Sequence, residues 1–174
     1  LLAVGKLRPC YREACDDYLR RLGRRAKVHE VEVREAARAP TRAVQQAEEA
    51  DRLRARIPPR ARVVALAREG SGWTSAELAD RLGRWEADAR PLAFLIGGST
   101  GLDPGLVAES ESVWSLGPLT LPHELATLAL SNRRLLYDLL FRTATQTLRE
   151  IAIDERHLGA RIGGLLVLHT WGQN

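Results

Sequence analysis

The strongest constraint on this chain is a continuous apolar run that ends in a pair of glycines, within the sequence PLAFLIGGSTGL at residues 91–102. Residues 91–96 are bounded by Pro and Gly, and such a run predicts a strand buried on both faces of a parallel sheet. Gly97 and Gly98 carry no Cβ, so the backbone after this strand is able to approach a ligand closely. The GGxxG spacing matches neither the dinucleotide fingerprint nor the phosphate-binding P-loop. We therefore predict a ligand-binding loop of another kind, with a ligand-free strand-to-helix turn as the alternative.

A second segment of the same character, SVWSLGPLTLPHELA, occupies residues 112–126. Its first residues, 112–116, predict a short strand that ends at Gly117 and Pro118. Pro122 is suited to the first position of a helix. The amides of residues 123–125 would then lack partners within that helix and would need an acceptor elsewhere. An adenine edge or a carboxylate would provide one.

Short apolar runs alternate with helical patterns along the first two thirds of the chain. Further strands are predicted at residues 1–4, 27–33 and 61–67, and helices from Pro9, at 41–57 and at 75–89. Thr74 and Glu77 have the spacing of a capping box at the start of the last of these helices. The alternation predicts an α/β fold, in which a parallel sheet carries helices on both faces.

The composition is that of one soluble domain. The chain has 174 residues, of which 45% are hydrophobic and 28% charged, so it is able to bury a core without disulfides. Its net charge of +4 is compatible with a polyanionic partner such as a nucleic acid. A mildly basic surface with no such partner is the alternative.

Neither a metal site nor a membrane segment is expected. Cys10 and Cys15 lie on different faces of a predicted helix, which argues for reduced thiols in a cytoplasmic protein. His157 and His169 do not have a recognised metal-binding spacing. No apolar run reaches the roughly 18 residues of a membrane span, and no leader peptide is visible. The chain starts with Leu1 inside a predicted strand, without Met, so we expect a few N-terminal residues to be missing.

The two glycine-containing segments together resemble the knotted SPOUT class of RNA methyltransferases. The specific resemblance is to the family that methylates N3 of a pseudouridine in the 23S RNA of the bacterial large ribosomal subunit. In that family the words IGGxxGL and WSLxxLTLPHxL line the pocket for S-adenosylmethionine, and both occur here in order. The resemblance covers residues 1–126. It implies a trefoil-knotted α/β domain, a homodimer, S-adenosylmethionine as cofactor and ribosomal RNA as substrate.

The resemblance also implies which residues bind the cofactor. They come from the end of the third strand, from the glycine loop and from the segment before the last helix: Leu66, Ala67, Gly97, Gly98, Gly117, Pro118, Leu119, Thr120, Leu121 and Pro122. The family often has an acidic residue where Ala67 stands, so one polar contact is in doubt here. A side chain placed at Gly98 is expected to enter the space of the ligand.

Within the two sequence motifs that carry the family resemblance, His123 is the only titratable side chain that is placed to take part in the chemistry. It could orient a ligand or accept a proton, which makes it the candidate catalytic residue. The alternative is a histidine hydrogen-bonded to local backbone. Trp114 is expected to fill the core, whereas Trp73, in a GSGW loop, is the better candidate for stacking on a base. The connection at residues 34–40 is the expected mobile loop, and its two arginines are able to reach phosphates if it is more than a solvated link.

The resemblance ends after residue 126. Thr127 stands where the family has Arg, Asn132 falls near its usual Glu, and the family's PYH ending does not occur anywhere in the sequence. Residues 120–174 instead resemble a rolling-circle insertion-sequence transposase in the words TLPHEL, NRRLLYDLLFR, HLGARIG and VLHTWGQ. Residues 127–174 are therefore predicted to be a foreign extension, helical to about residue 150 and loosely structured beyond. Tyr137 has no HxH motif nearby and is expected to be an aromatic residue of that helix.

Two functional alternatives follow from this junction. The chain could be a non-catalytic remnant that binds cofactor or RNA, or a transposase-derived fragment that binds DNA. The methyltransferase interpretation is preferred because it rests on two specific words and on most of the chain.

Overall fold

The computed structural model describes residues 1–22, 27–117 and 121–131. Pro118, Leu119 and Thr120, which were predicted to bind the cofactor, lie outside these residues. So do Tyr137, His157, His169 and all of the predicted extension after Ser131.

The described residues form alternating strands and helices. In chain order they are β1 (Leu2–Val4), α1 (Pro9–Leu22), β2 (Val31–Val33), α2 (Arg42–Arg54), β3 (Arg62–Gly72), α3 (Ser75–Ala87), β4 (Leu92–Ile96), α4 (Pro104–Glu109), β5 (Ser112–Ser115) and α5 (His123–Ser131). The strands form one five-stranded sheet in the order β2-β1-β4-β3-β5, and every pairing is parallel. The predicted α/β fold with a parallel sheet is confirmed.

Each face of the sheet carries a hydrophobic core. On one face, residues of β1, β3, β4 and β5 pack against α3 and α5, with Leu78, Trp114 and Leu130 among the buried side chains. On the other face, β1, β2 and β4 pack against α2 and α4 through residues such as Leu53, Leu95 and Leu106. The apolar run predicted as a buried strand is therefore β4, at the centre of the sheet and covered on both sides.

Several boundaries differ from the predicted ones. β2 starts only at Val31, because residues 27–30 make no strand pairing. The sequence analysis did not predict α4, a six-residue helix capped by Asp103, whose carboxylate accepts a hydrogen bond from the Leu106 amide. The capping box of Thr74 and Glu77 at the start of α3 is confirmed.

The third strand is longer than predicted because it contains an irregularity. Leu66 and Ser71 both pair with Trp114 of β5, so the intervening residues 67–70, which we call the β3 bulge, have no partner in that strand. Gly70 lies against the backbone of β5 at this point. The strand therefore does not end at residue 67 but resumes and continues to Gly72.

The tryptophans of the described residues, Trp73, Trp85 and Trp114, pack together. Trp73 stacks on Trp114 with ring centroids 5.1 Å apart, and the guanidinium of Arg81 lies over its ring at 4.4 Å. Trp85 contacts Trp73 edge-on. The stacking role considered for Trp73 is therefore wrong, because its ring is already covered, and the core role predicted for Trp114 is confirmed.

Side chains of α2 bond to the backbone of the connection at residues 34–40. The Ala36 amide donates a hydrogen bond to the buried carboxylate of Glu49, and Arg52 donates to the Arg34 carbonyl. Its predicted mobility stays a prediction, and the side chains of Arg34 and Arg38 are exposed.

The two cysteines are free and far from equivalent. Cys10 is exposed, whereas Cys15 is buried and its burial raises the pKa of its thiol. Within the described residues, no group of three or more His, Cys, Asp or Glu side chains is arranged to hold a metal ion. In the same part of the chain, no helix has the length and apolar character that a membrane span requires.

The β3 bulge gives a prediction with an internal control. A Cβ at Gly70 would lie 2.8 Å from the carbonyl carbons of Val113 and Trp114, and backbone atoms are unable to move aside cheaply. A Cβ at Gly72 would meet no atom of the described residues within 4 Å. Gly70→Ala is expected to lower the free energy of unfolding by about 1–3 kcal/mol. Gly72→Ala is expected to change it by less than about 0.5 kcal/mol. Urea denaturation measures both, and equal effects at the two positions would contradict the described register.

Candidate functional site

A cleft of about 1290 Å³ opens where β3, β4 and β5 reach their carboxyl ends. Its walls are the β3 bulge, the loop at residues 97–102 after β4, which we call the glycine loop, and the residues on either side of the turn that follows β5. In open parallel sheets this edge is where ligands usually bind, because loops from neighbouring strands meet there.

The predicted cofactor-binding residues come together in this cleft. Every member of the set that the structure describes lines it, together with the candidate catalytic histidine: Leu66, Ala67, Gly97, Gly98, Gly117, Leu121, Pro122 and His123. They arise from three segments that are remote in sequence. The parallel sheet brings the segments together because each follows or ends a strand at the same edge.

The two consecutive glycines are required by internal packing. A Cβ at Gly97 would lie 2.5 Å from the carbonyl carbon of Gly101, so the glycine loop folds back on itself there. A Cβ at Gly98 would lie 2.9 Å from Cγ1 of Val4, a fully buried residue of β1. The expectation that a side chain at Gly98 enters the ligand space is therefore wrong. Such a side chain would collide with the core instead.

Side chains of α2 hold the glycine loop in place. Gln46 donates from Nε2 to the carbonyls of Thr100 at 2.8 Å and Leu102 at 3.3 Å. Arg42 donates from Nη2 to the same Thr100 carbonyl at 3.0 Å. The Ser99 hydroxyl donates to the carboxylate of Glu35. Sequence reasoning missed these residues because the partners are distant along the chain and no local pattern marks them.

The turn after β5 is formed by its own polar groups. The Gly117 amide donates to the Ser115 hydroxyl at 3.2 Å, and that hydroxyl donates to the Gly117 carbonyl at 2.9 Å. Gly117 has φ of +137°, a conformation that side-chain-bearing residues rarely adopt. Among the described residues, nothing lies within 4 Å of the position that a Cβ at Gly117 would take, and Gly117 lines the cleft.

His123, the first residue of α5, lies between the cleft and β1. A Cβ at Gly5 would come within 2.7 Å of its Nε2 atom, so the imidazole packs directly on the backbone of that glycine. Nε2 is buried and has no hydrogen-bond partner among the described residues. Among the described residues, no local backbone group bonds to this nitrogen, and the alternative of a histidine hydrogen-bonded to local backbone stays open for residues 118–120. This nitrogen lies against Gly5, and His123 is also one of the residues that line the cleft.

An ion pair fixes the first turn of α5. Arg8, just before α1, donates from Nε and Nη2 to the two carboxylate oxygens of Glu124 at 2.6 and 2.9 Å. The hydrogen bonds and the positive charge of Arg8 lower the pKa of the Glu124 carboxyl. Bidentate geometry restricts both side chains, so the pair connects the β1–α1 connection to the turn that carries His123.

The ion pair predicts a pH-dependent stability difference. Because folding lowers the pKa of Glu124, its stabilising contribution is present above its unfolded pKa of about 4.3 and is lost as the pH falls through the folded value. Arg8→Gln is expected to lower the free energy of unfolding at pH 7 and to have a much smaller effect near pH 3. Urea titrations at both pH values measure this. The exposed control Arg56→Gln should change the free energy of unfolding by the same amount at both pH values. An equal effect of Arg8→Gln at both pH values would contradict the assigned ion pair.

Comparisons with known proteins identify the family to which this chain is similar. The profile of a family described as "Predicted SPOUT methyltransferase" matches residues 1–138 and so runs past residue 126. A protein of an Anaeromyxobacter species, named ribosomal RNA large subunit methyltransferase H, is 41% identical over 131 residues, which are 75% of this chain and 86% of the relative. Proteins of the same name from Paraburkholderia phymatum and Pseudomonas paraeruginosa are 35% and 39% identical over 136 and 128 residues. Those matches cover 76% and 72% of this chain and 87% and 83% of the relatives.

Proposed function

We propose that this chain, which belongs to the SPOUT methyltransferase family, transfers a methyl group from S-adenosylmethionine to N3 of a pseudouridine in bacterial large-subunit ribosomal RNA. Its family membership makes it a methyltransferase, and the names of its relatives support the RNA of the large subunit as the substrate. The observation that carries the proposal is the convergence of three separate segments on one cleft at the carboxyl edge of the sheet.

The residues of the cleft fit S-adenosylmethionine. Leu66, Ile96 and Leu116 provide apolar wall for an adenine ring, and the backbone of Gly117, which carries no Cβ, lies at the same cleft. Ligand sites for molecules of this size usually enclose about 300–1000 Å³. A cleft of about 1290 Å³ therefore has room for the cofactor and for part of a nucleotide. We assign the adenosine to backbone groups at Leu66, Gly98 and residues 117–122.

The chemistry requires positioning and the removal of one proton. When bound, S-adenosylmethionine supplies an electrophilic methyl group on a sulfonium. As the new N–C bond forms at N3, the hydrogen on that nitrogen must leave as a proton. The imidazole of His123, one of the residues that line the cleft, is our candidate for the acceptor. The apolar walls exclude water and restrict the approach of the base, which lowers the entropic cost of the reaction.

The family resemblance supports two further parts of the proposal. The enzyme acts in the cytoplasm, where ribosomes are modified, and it acts as a homodimer with the cofactor site near the subunit interface. Leu121 and Leu125 are large apolar side chains at the start of α5 that are exposed in the single chain. Burying them against a second copy would be favourable.

A cleft-filling substitution tests the cofactor site. Ala67 lines the cleft, and Ala67→Phe would place an aromatic ring where the ligand is proposed to lie. We expect its affinity for S-adenosylmethionine to fall by about ten-fold or more, which corresponds to roughly 1.4 kcal/mol. Calorimetry measures the affinity, and Ala87→Phe, at an exposed position of α3 away from the cleft, is the matched control. Unchanged binding by a folded Ala67→Phe protein would remove the cleft as the cofactor site.

The departure of the sequence after residue 126 predicts that binding and turnover separate. The family's Arg, acidic residue and PYH ending are absent from this sequence, and groups that act mainly in the transition state affect turnover more than binding. We expect the chain to bind S-adenosylmethionine but to methylate large ribosomal subunits slowly. Replacing the residues after Ala126 with a family-type ending should raise turnover with little change in cofactor affinity. Rapid methylation by the unaltered chain would contradict this interpretation.

A further inference from the structure

Two guanidinium groups stand at the rim of the cleft on different elements. Arg42 is the first residue of α2, and Arg68 belongs to the β3 bulge. Both residues line the cleft and both are exposed. The fold therefore places two permanent positive charges beside an opening whose walls are largely apolar.

Most of the hydrogen-bonding capacity of these groups is unused. Arg42 directs Nη2 to the Thr100 carbonyl, and its guanidinium makes no other hydrogen bond within the described residues. Arg68 bonds to Glu69, its neighbour in sequence, at 3.2 and 3.3 Å. The side chains of Arg68 and Glu69 are 63% and 73% exposed, and a pair this exposed contributes little to stability. An incoming anion is therefore able to replace Glu69 at little cost.

The two arginines act on the same region of space. The pKa of Glu69 is lowered first by a hydrogen bond from its own backbone amide, then by Arg68, and also by the charge of Arg42. Both guanidinium groups are therefore within electrostatic reach of one carboxylate. Among the described residues that line the cleft, the charged side chains are Arg42, Arg68 and Glu69, so positive charge exceeds negative charge in its lining.

We propose that Arg42 and Arg68 form a phosphate-binding rim, which holds the RNA backbone beside the nucleotide that enters the cleft. This inference rests on the proposed function and names the contacts through which that site takes its RNA. A base that enters an apolar cleft leaves its phosphates at the mouth, and guanidinium groups bind phosphate through paired N–H donors. The Thr100 contact of Arg42 further connects the bound phosphate to the glycine loop.

The salt dependence of RNA binding provides the test. The probe is an in vitro transcript of bacterial large-subunit ribosomal RNA, bound to the full chain in filter assays over a series of salt concentrations. Each phosphate contact contributes roughly 0.7–0.9 to the slope of log affinity against log salt. Arg42→Gln and Arg68→Gln should each weaken binding and reduce this slope by about one, and the double variant by about two. Arg84→Gln, at an exposed position of α3 that does not line the cleft, should leave the slope unchanged.

Two further measurements distinguish a loss of charge from a folding defect, and RNA binding from cofactor binding. Arg42→Lys and Arg68→Lys retain the positive charge and should retain the slope of log affinity against log salt. A reduced slope in the Gln variants then reflects the lost charge and not a folding defect. Calorimetry with S-adenosylmethionine should show affinities within about two-fold of wild type, or about 0.4 kcal/mol, in the Arg68 variants, because the hydrogen bonds that Arg68 makes go to the exposed Glu69 and not to the glycine loop.

The outcomes that overturn the rim differ from those that overturn the proposed function. Unchanged slopes in both Gln variants, or a wild-type chain that does not bind the transcript, would overturn the rim. A loss of cofactor affinity with an unchanged slope would also overturn it and would assign the guanidinium groups to the cofactor's carboxylate. By contrast, reduced slopes in a protein that does not bind S-adenosylmethionine would support the rim while removing the proposed methyl transfer.

Discussion

The cleft depends on how the carbonyl groups of the glycine loop are satisfied. Thr100 and Leu102 lie in a turn with no strand partner, and their carbonyls accept hydrogen bonds from Gln46 and Arg42 of α2. Without these donors the loop would have to find water or another conformation, since unpaired backbone groups are costly away from solvent. A helix on one face of the sheet thus fixes a loop at its edge, and that loop in turn forms one wall of the cleft.

The sequence predicted the parts of this arrangement that depend on local pattern and on sheet geometry. The apolar run of β4 and the capping box of Thr74 are local signals, and the convergence of the site residues follows from parallel strands that end at one edge. The β3 bulge, by contrast, is a matter of register with β5, which no local pattern specifies. The direction in which a side chain at Gly98 would point could not be predicted from the sequence either, because it depends on where Val4 lies in three dimensions.

The first turn of α5 contains both the candidate catalytic residue and one partner of an ion pair. The His123 ring packs directly on the backbone of Gly5, and a side chain at residue 5 would occupy the space that the ring fills. Glu124, the next residue, is held by Arg8 from the same connection after β1. The connection between β1 and α1 therefore has a role that no local sequence pattern predicts. It sets the position of a side chain that is more than a hundred residues away.

The packing of the tryptophans gives the site an optical property of its own. Trp73 and Trp114 stack nearly parallel, with an interplanar angle of 8°, and Trp114 also lines the cleft. Two indoles in such contact share their excited states, so their near-ultraviolet circular dichroism and their emission depend on the exact offset between the rings. A ligand in the proposed site that changes this offset or the polarity around Trp114 would change both signals. The protein thus carries a built-in chromophore pair at the wall of its cleft, and occupancy can be followed without any attached label.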